Sequence, residues 1–325
     1  MSNVERDPDE LKFGTSSRVG PGVEVITARE VPLGGPRAMS VRRTLPQKQR
    51  SLIGAWCFAD HYGPDDVAAG GGMDVPPHPH TGLQTVSWLF AGEVEHRDSA
   101  GVRALVRPGE LNLMTGGHGI AHSEVSTPGT TVLHGVQLWL ALPNASRNAP
   151  RNFQHHIPEA AQIDGGTLRV FLGSLAGHAS PVQTFSPVVG AELTLPPGRV
   201  VALPVAREYE HGVLVDTGAV LLGGTCLAPS ELGYLAPGHS LLELANHTAE
   251  TARVIILGGV PFDEEILMWW NFIGRSHDEI VAFRDAWQQE SEQFGRVRGY
   301  RGRIGRLPAP ELPSLRLRPR RNRPD

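Results

Sequence analysis

Short apolar and alternating stretches fill the chain from Val23 to about Pro143: VEVITA, LQTVSWLFAG, RALV, ELNLMT and TVLHGVQLWLAL, each bounded by Gly, Pro, Asn or Asp. A repeat of two is the period of a strand with one buried face, and the bounding residues are turn formers, so the pattern predicts a run of short strands closing into a sandwich or barrel. The segment NASRNAPRNFQHHIP, 144–158, loses the alternation and reads as a connection. A second β-rich half follows, with TLRVFLG, RVVALPV, HGVLVDTGAVLL, ELGYLA, SLLELANH and ARVIILGG. Helical spacing appears only late. Ser276 and Glu279 form a capping box ahead of DEIVAFRDAWQQESEQF, where Ile280, Phe283 and Trp287 recur on one face.

The halves look like copies, since His80 precedes the Pro108-Gly109 turn by 28 residues and His211 precedes Pro237-Gly238 by 26. The expected fold is therefore all-β, two tandem barrels of related design with a short C-terminal helix. The expected divisions are a disordered tail at 1–22, a first domain at 23–145, a linker at 146–160, a second domain at 161–305 and a Pro/Arg-rich tail at 306–325.

Length and composition agree with this picture. The 325 residues can bury two cores, and 38 glycines with 27 prolines favour tight turns over long helices. No apolar run spans a membrane, and MSNVERDPDELK has no apolar signal region, so a cytoplasmic location is expected. Cys57 and Cys226 stand far apart and read as two ordinary buried thiols. From Arg296 to Asp325 ten arginines face Glu311 and Asp325, a net of +8 against −12 for the rest. With only two lysines in the chain, this reads as a solvated basic tail, without specific nucleic-acid binding.

Candidate chemistry begins at PPHPHTGLQT, 76–85. Proline at 79 forbids helix, and residues two apart on an extended chain share a face, so His78 and His80 project together. ELNLMTGGHGIAHSE ends in a second such pair, His122 and Glu124. Convergence of the pairs gives three nitrogens and one carboxylate, an open donor set for a divalent ion: Fe, Mn, Ni, Co or Cu. His134 and Gln137 on a neighbouring strand face opposite sides, so at most one looks into the barrel. His96 in EVEHRD reads as solvent exposed. In the second half His211 stands alone, the position matching His122 is Thr251, and His247 lacks a His-x-Glu partner, so that barrel is expected to be metal-free.

HPHTGLQTVSWLFAGEVEHRDS, RPGELNLMTGGHGIAHSE and HGVQLWLALP, with GAWCFADHYGP and PFDEEILMWWNFIGRSHDEIVAF, resemble the pirin family of the cupin superfamily over roughly residues 25–313. The resemblance implies a bicupin of two jelly-roll barrels. Its N-terminal barrel would hold one metal, iron first among the candidates, through His78, His80, His122 and Glu124. It also implies activity like that of quercetin 2,3-dioxygenase on a flavonol or similar small aromatic with dioxygen, Glu124 serving as base. The alternatives are an iron-dependent redox-sensing regulator that binds a protein partner, and other cupin chemistry such as storage or sugar isomerisation. Two positions depart from the family pattern. Gln84 stands where many pirins have Glu and shares parity with His80, which offers it a supporting role beside the site, and His118 stands where they have Arg and could line the entrance.

Overall fold

The computed structural model describes residues 18–19, 22–33, 39–68 and 72–319. Most of the tail expected at 1–22 lies outside these residues, as do 320–325. Eleven strands form the first half: β1 Glu24–Thr27, β2 Arg29–Leu33, β3 Met39–Leu45, β4 Trp56–Asp66, β5 Asp74–His80, β6 Leu83–Ala91, β7 Val94–Asp98, β8 Arg103–Val106, β9 Leu111–Thr115, β10 Ile120–Ser126 and β11 Val132–Ala141. Eleven more repeat them: β12 Asn152–His156, β13 Ala161–Ile163, β14 Gly166–Leu172, β15 Val188–Leu195, β16 Val200–Pro204, β17 Glu210–Thr217, β18 Val220–Leu222, β19 Thr225–Leu227, β20 Glu231–Leu235, β21 Leu241–Ala245 and β22 Ala252–Gly259. Among the described residues the single helix, α1 His277–Gln288, starts at Ser276, whose side chain accepts from the Glu279 amide as the capping box predicts. Among the described residues no helix is long and apolar enough to cross a membrane.

The repeat is reciprocal. The large sheet of the first half runs β12-β9-β6-β11-β4-β3-β2, and that of the second runs β1-β20-β17-β22-β15-β14-β13 with the two-residue strand Arg18–Val19 outside β1. Each half thus lends its first strand to the other's sheet, capping an edge that would otherwise present unpaired backbone. This corrects the expected divisions at two places: 24–27 belongs to the second sheet, and 152–156, inside the expected linker, is a strand of the first. Each half also has a small sheet, β5-β10-β7-β8 and β16-β21-β18-β19.

The large sheets meet face to face. Trp56, Val86, Trp88, Leu113 and Leu138 from one pack against Phe171, Leu214, Leu232, Ile255 and Leu257 from the other. Trp88 Nε1 donates across the junction to Glu192 Oε2 at 2.9 Å. The C-terminal region departs from the expected divisions as well: Leu267, Trp269, Phe272, Ile280, Trp287, Phe294, Leu307 and Ala309 are buried with Val41, Met73 and Ala121 in the core of the first barrel, and Leu317 packs on it. The tail docks because polar bonds back the apolar contacts. Trp287 Nε1 donates to the Leu307 carbonyl at 2.8 Å, and the Leu307 amide donates to Pro77 at 2.8 Å. Cys57 is buried as expected, but Cys226, on the exposed side of β19, is not.

Candidate metal centre

Strand β5 lies at the edge of the small sheet, so Pro76, Pro77 and Pro79 need no ladder partner on their open side. On β10 His122 pairs with His78, but two residues further on Glu124 pairs with Val75, a bulge that absorbs one residue of β5. On its other side β10 pairs with β7, setting His122 opposite Asp98 and Glu124 opposite His96.

These pairings gather three imidazoles, each fully buried. Ring centroids lie 5.0 Å apart for His78 and His80, 4.3 Å for His78 and His122, and 4.9 Å for His80 and His122. Burial lowers the pKa of His78 to about 3 and pushes His80 and His122 well below the ordinary range, so all three rings are neutral at pH 7.

The hydrogen bonds determine which nitrogens are free. His78 Nδ1 lies 2.9 Å from the Pro76 carbonyl, which can only accept, so the ring proton sits there and Nε2 carries the lone pair. That Nε2 is buried without a hydrogen-bond partner. Asp98 Oδ1 accepts from the amides of Ala100 at 2.8 Å and Val102 at 3.0 Å, while Oδ2 lies 3.3 Å from His96 Nε2. His96 therefore donates to Asp98, and its Nδ1 accepts from His122 Nδ1 at 3.3 Å. This leaves the lone pair of His122 on Nε2, 3.0 Å from His80 Nε2. An orphaned buried nitrogen beside two ring nitrogens in contact is the donor pattern a bound cation satisfies, so the residues fit the ion.

Glu124 lies at one side of this group. One donor atom each from His78, His80 and His122 fall within 4.8 Å of one another, and a second group of the same spread joins His122 with His96 and Glu124. His122 is common to both. The Ser87 hydroxyl lies 3.2 Å from Glu124 Oε1 and 3.0 Å from Gln137 Oε1, and burial and the Glu124 charge raise the pKa of Tyr62. Trp139 meets His80 edge-on at 5.2 Å and stacks on Phe58 at 4.0 Å, closing one wall with apolar rings.

Comparison with known proteins agrees with this geometry. The sequence profile named Pirin matches residues 38–140, and the profile of the pirin C-terminal cupin domain matches 190–294. A Pseudomonas aeruginosa protein provisionally named quercetin 2,3-dioxygenase is 43% identical over 89% of this chain and 90% of its own length. The chain belongs to the pirin family. A pirin-like protein of Caulobacter vibrioides is 35% identical over 81% of this chain and 92% of its own. The crystal structure of a quercetin 2,3-dioxygenase from Acinetobacter baumannii superposes with a TM-score of 0.85 at 37% identity, covering 91% of this chain and 97% of that one. This pirin is thus a bicupin, as the repeat predicts.

Three side chains do not sit as the sequence suggests. Gln84 is buried, but its Nε2 donates to Thr115 Oγ1 at 3.0 Å, and it lies with Ala55, Leu140 and Val188 on the side facing the second barrel. The turn at Thr81 and Gly82, whose φ is +68°, resets the alternation, so Thr85 and Ser87 inherit the interior parity expected of Gln84. His118 is exposed, with Nδ1 3.4 Å from the Ala149 carbonyl, and does not join the cluster. His96, expected in solvent, is 3% exposed because β8 and Phe153, the latter with its ring 4.9 Å away, cover it. As their odd spacing requires, Gln137 looks into the barrel, where its Oε1 meets Ser87, and His134 turns towards the second one, where it meets Asp216. In that second barrel, the strands matching β5 and β10 turn Val201, Leu203, Leu242 and Leu244 into the core.

Proposed function

We propose that this pirin is a metal-dependent dioxygenase acting on a flavonol or similar hydroxylated aromatic with dioxygen, using one iron held by His78, His80, His122 and Glu124. The observation that carries the reading is the buried set of three neutral imidazoles with a carboxylate oxygen within 4.8 Å of a donor atom of the shared histidine. The names of the similar Pseudomonas and Acinetobacter proteins support the reaction class. An ion held by these residues would supply Lewis acidity that lowers the pKa of a bound hydroxyl.

The protein's own groups do the remaining work. Pro76 and the Asp98–His96 pair fix the tautomers of His78 and His122, so both rings present lone pairs inward. Glu124 supplies the negative charge of the donor set and accepts the proton that leaves the flavonol. Ser87, held between Glu124 and Gln137, orients that carboxylate. Trp139 and Phe58 exclude water from one side. The regulatory alternative draws on no separate structural observation. The test is an aerobic assay of iron-loaded protein with quercetin: its absorbance is expected to disappear with wild type and to persist with His122→Ala. Persistence with metal-loaded wild type overturns the substrate class.

A further inference from the structure

A second buried cluster lies where the two barrels meet. We infer that His61, His134 and Asp216 form a second metal site, for zinc or a similar imidazole-preferring ion, bridging the first barrel to the second. His61 is on β4, His134 on β11 and Asp216 on β17, so two ligands come from one barrel and the third from the other. His61 Nε2 lies 2.7 Å from Asp216 Oδ1, His134 Nε2 lies 2.5 Å from the same oxygen, and the two nitrogens are 3.4 Å apart. All three side chains are at most 6% exposed.

The atoms behind the ligands are also in place. His61 Nδ1 lies 3.3 Å from the Ser230 hydroxyl, and Asp216 Oδ2 takes the Arg253 guanidinium at 2.6 Å. Such outer contacts orient metal-binding imidazoles and carboxylates. Burial keeps His61 neutral by lowering its pKa. Burial also pushes the Asp216 carboxyl up, but hydrogen bonds from His134 and His61 and the charge of Arg253 hold it well below the ordinary range, so the oxygen is ionised; a bound cation would take the place of the two donated Nε2 protons, each imidazole carrying its proton on Nδ1 instead, where that of His61 faces the Ser230 hydroxyl.

Two features set the expected strength. Tetrahedral zinc with bonds of about 2.0–2.1 Å spaces its ligands about 3.3 Å apart, so the nitrogens already have that separation and Asp216 must retreat by roughly 0.6–0.8 Å. Arg42 approaches His61 Nε2 at 3.5 Å while donating to the Gly63 carbonyl, and with Arg253 it opposes a cation. The second site therefore binds more weakly than the first, and its two imidazoles select Zn, Co, Ni or Cu over Mg or Ca.

The experiment is a Co²⁺ titration of demetallated full-length protein, followed by visible absorption and calorimetry. Wild type is expected to take up two equivalents. Asp216→Asn and His134→Gln should keep only the tighter one, and His80→Ala only the weaker. Ser230→Ala leaves every ligand in place and should weaken the second equivalent about tenfold, which keeps the test open if a ligand variant unfolds. One equivalent in wild type with none in His80→Ala shows a hydrogen-bonded His–Asp–Arg clamp and overturns the site. Two equivalents retained in both Asp216→Asn and His134→Gln overturn it as well.

Discussion

His96 brings its Nδ1 within 3.3 Å of Nδ1 of His122, while the other nitrogen of His122 lies 3.0 Å from His80. One imidazole thus fixes the tautomer of another, and Asp98 fixes the first. His96→Ala removes the acceptor behind His122, so the dissociation constant for Fe(II) or Co(II) should rise about 10- to 100-fold while the fold persists. Asp98→Asn should act in the same direction. Unchanged affinity by competition titration in both variants shows that His122 is oriented by packing alone.

Changing His78 or His80 to Ala removes a proposed ligand without touching the second barrel's separate core. Elemental analysis should find no stoichiometric metal at the first site and circular dichroism should find a folded protein. Full metal content at that site in either variant refutes the ligand assignment.

Much of this site was legible because strand parity is a local rule. His78 with His80 and His122 with Glu124 each lie within one strand, and the pairing of β5 with β10 brings His122 to the first pair while Glu124 groups with His122 and His96. Parity failed at Gln84, where a positive-φ glycine separates two strands that the apolar pattern runs together. The burial of His96 was missed because EVEHRD alternates as an exposed hairpin does, and only the pairing of β7 with β10 places it behind His122. Its spacing of two from Asp98 was the available signal. His61, His134 and Asp216 belong to three strands far apart in sequence, and no short-range pattern joins them. The exchange of β1 and β12 is likewise a property of sheet edges, which a strand pattern does not reveal.

Acid should weaken the second barrel through His211. It is 1% exposed, its Nδ1 has no hydrogen-bond partner, and burial lowers its pKa to about 4. The unfolded chain takes up this proton as the pH falls through about 6.5, whereas the folded chain resists until about 4. Its contribution to stability is therefore intact above 6.5 and declines towards 4, by up to about 1.4 kcal/mol per pH unit. Urea midpoints at pH 7.5 and 4.5 check this: His211→Leu should lose less between the two than wild type does. Equal losses mean His211 is not the group.

Truncation separates the two parts of the C-terminal segment. Among the described residues beyond Pro313, Leu317 packs partly buried on the first barrel's core, its amide donates to His277 Nδ1 at 3.2 Å, and an exposed Arg316–Asp278 pair lies at 2.9 Å. Deleting 314–325 should cost no more than about 2 kcal/mol, a few degrees in Tm at most. Deleting 306–325 uncovers Trp287 and should lower Tm much further. Equal effects of the two deletions show that Leu307 and Ala309 add nothing to the core.

Glu124→Gln distinguishes ligand from base. The amide keeps the shape beside Ser87 and leaves the imidazoles in place, but a neutral oxygen is a poorer donor, so metal should bind less tightly. As a base Glu124 should matter beyond binding. With saturating metal the variant should still bind a flavonol and turn it over at least about tenfold more slowly, since general bases typically contribute 10² to 10⁴. If metal content and turnover both match wild type, the proposed site reduces to three histidines. If metal binding falls but turnover per bound metal is unchanged, Glu124 is a ligand only, and the flavonol proton leaves by another route.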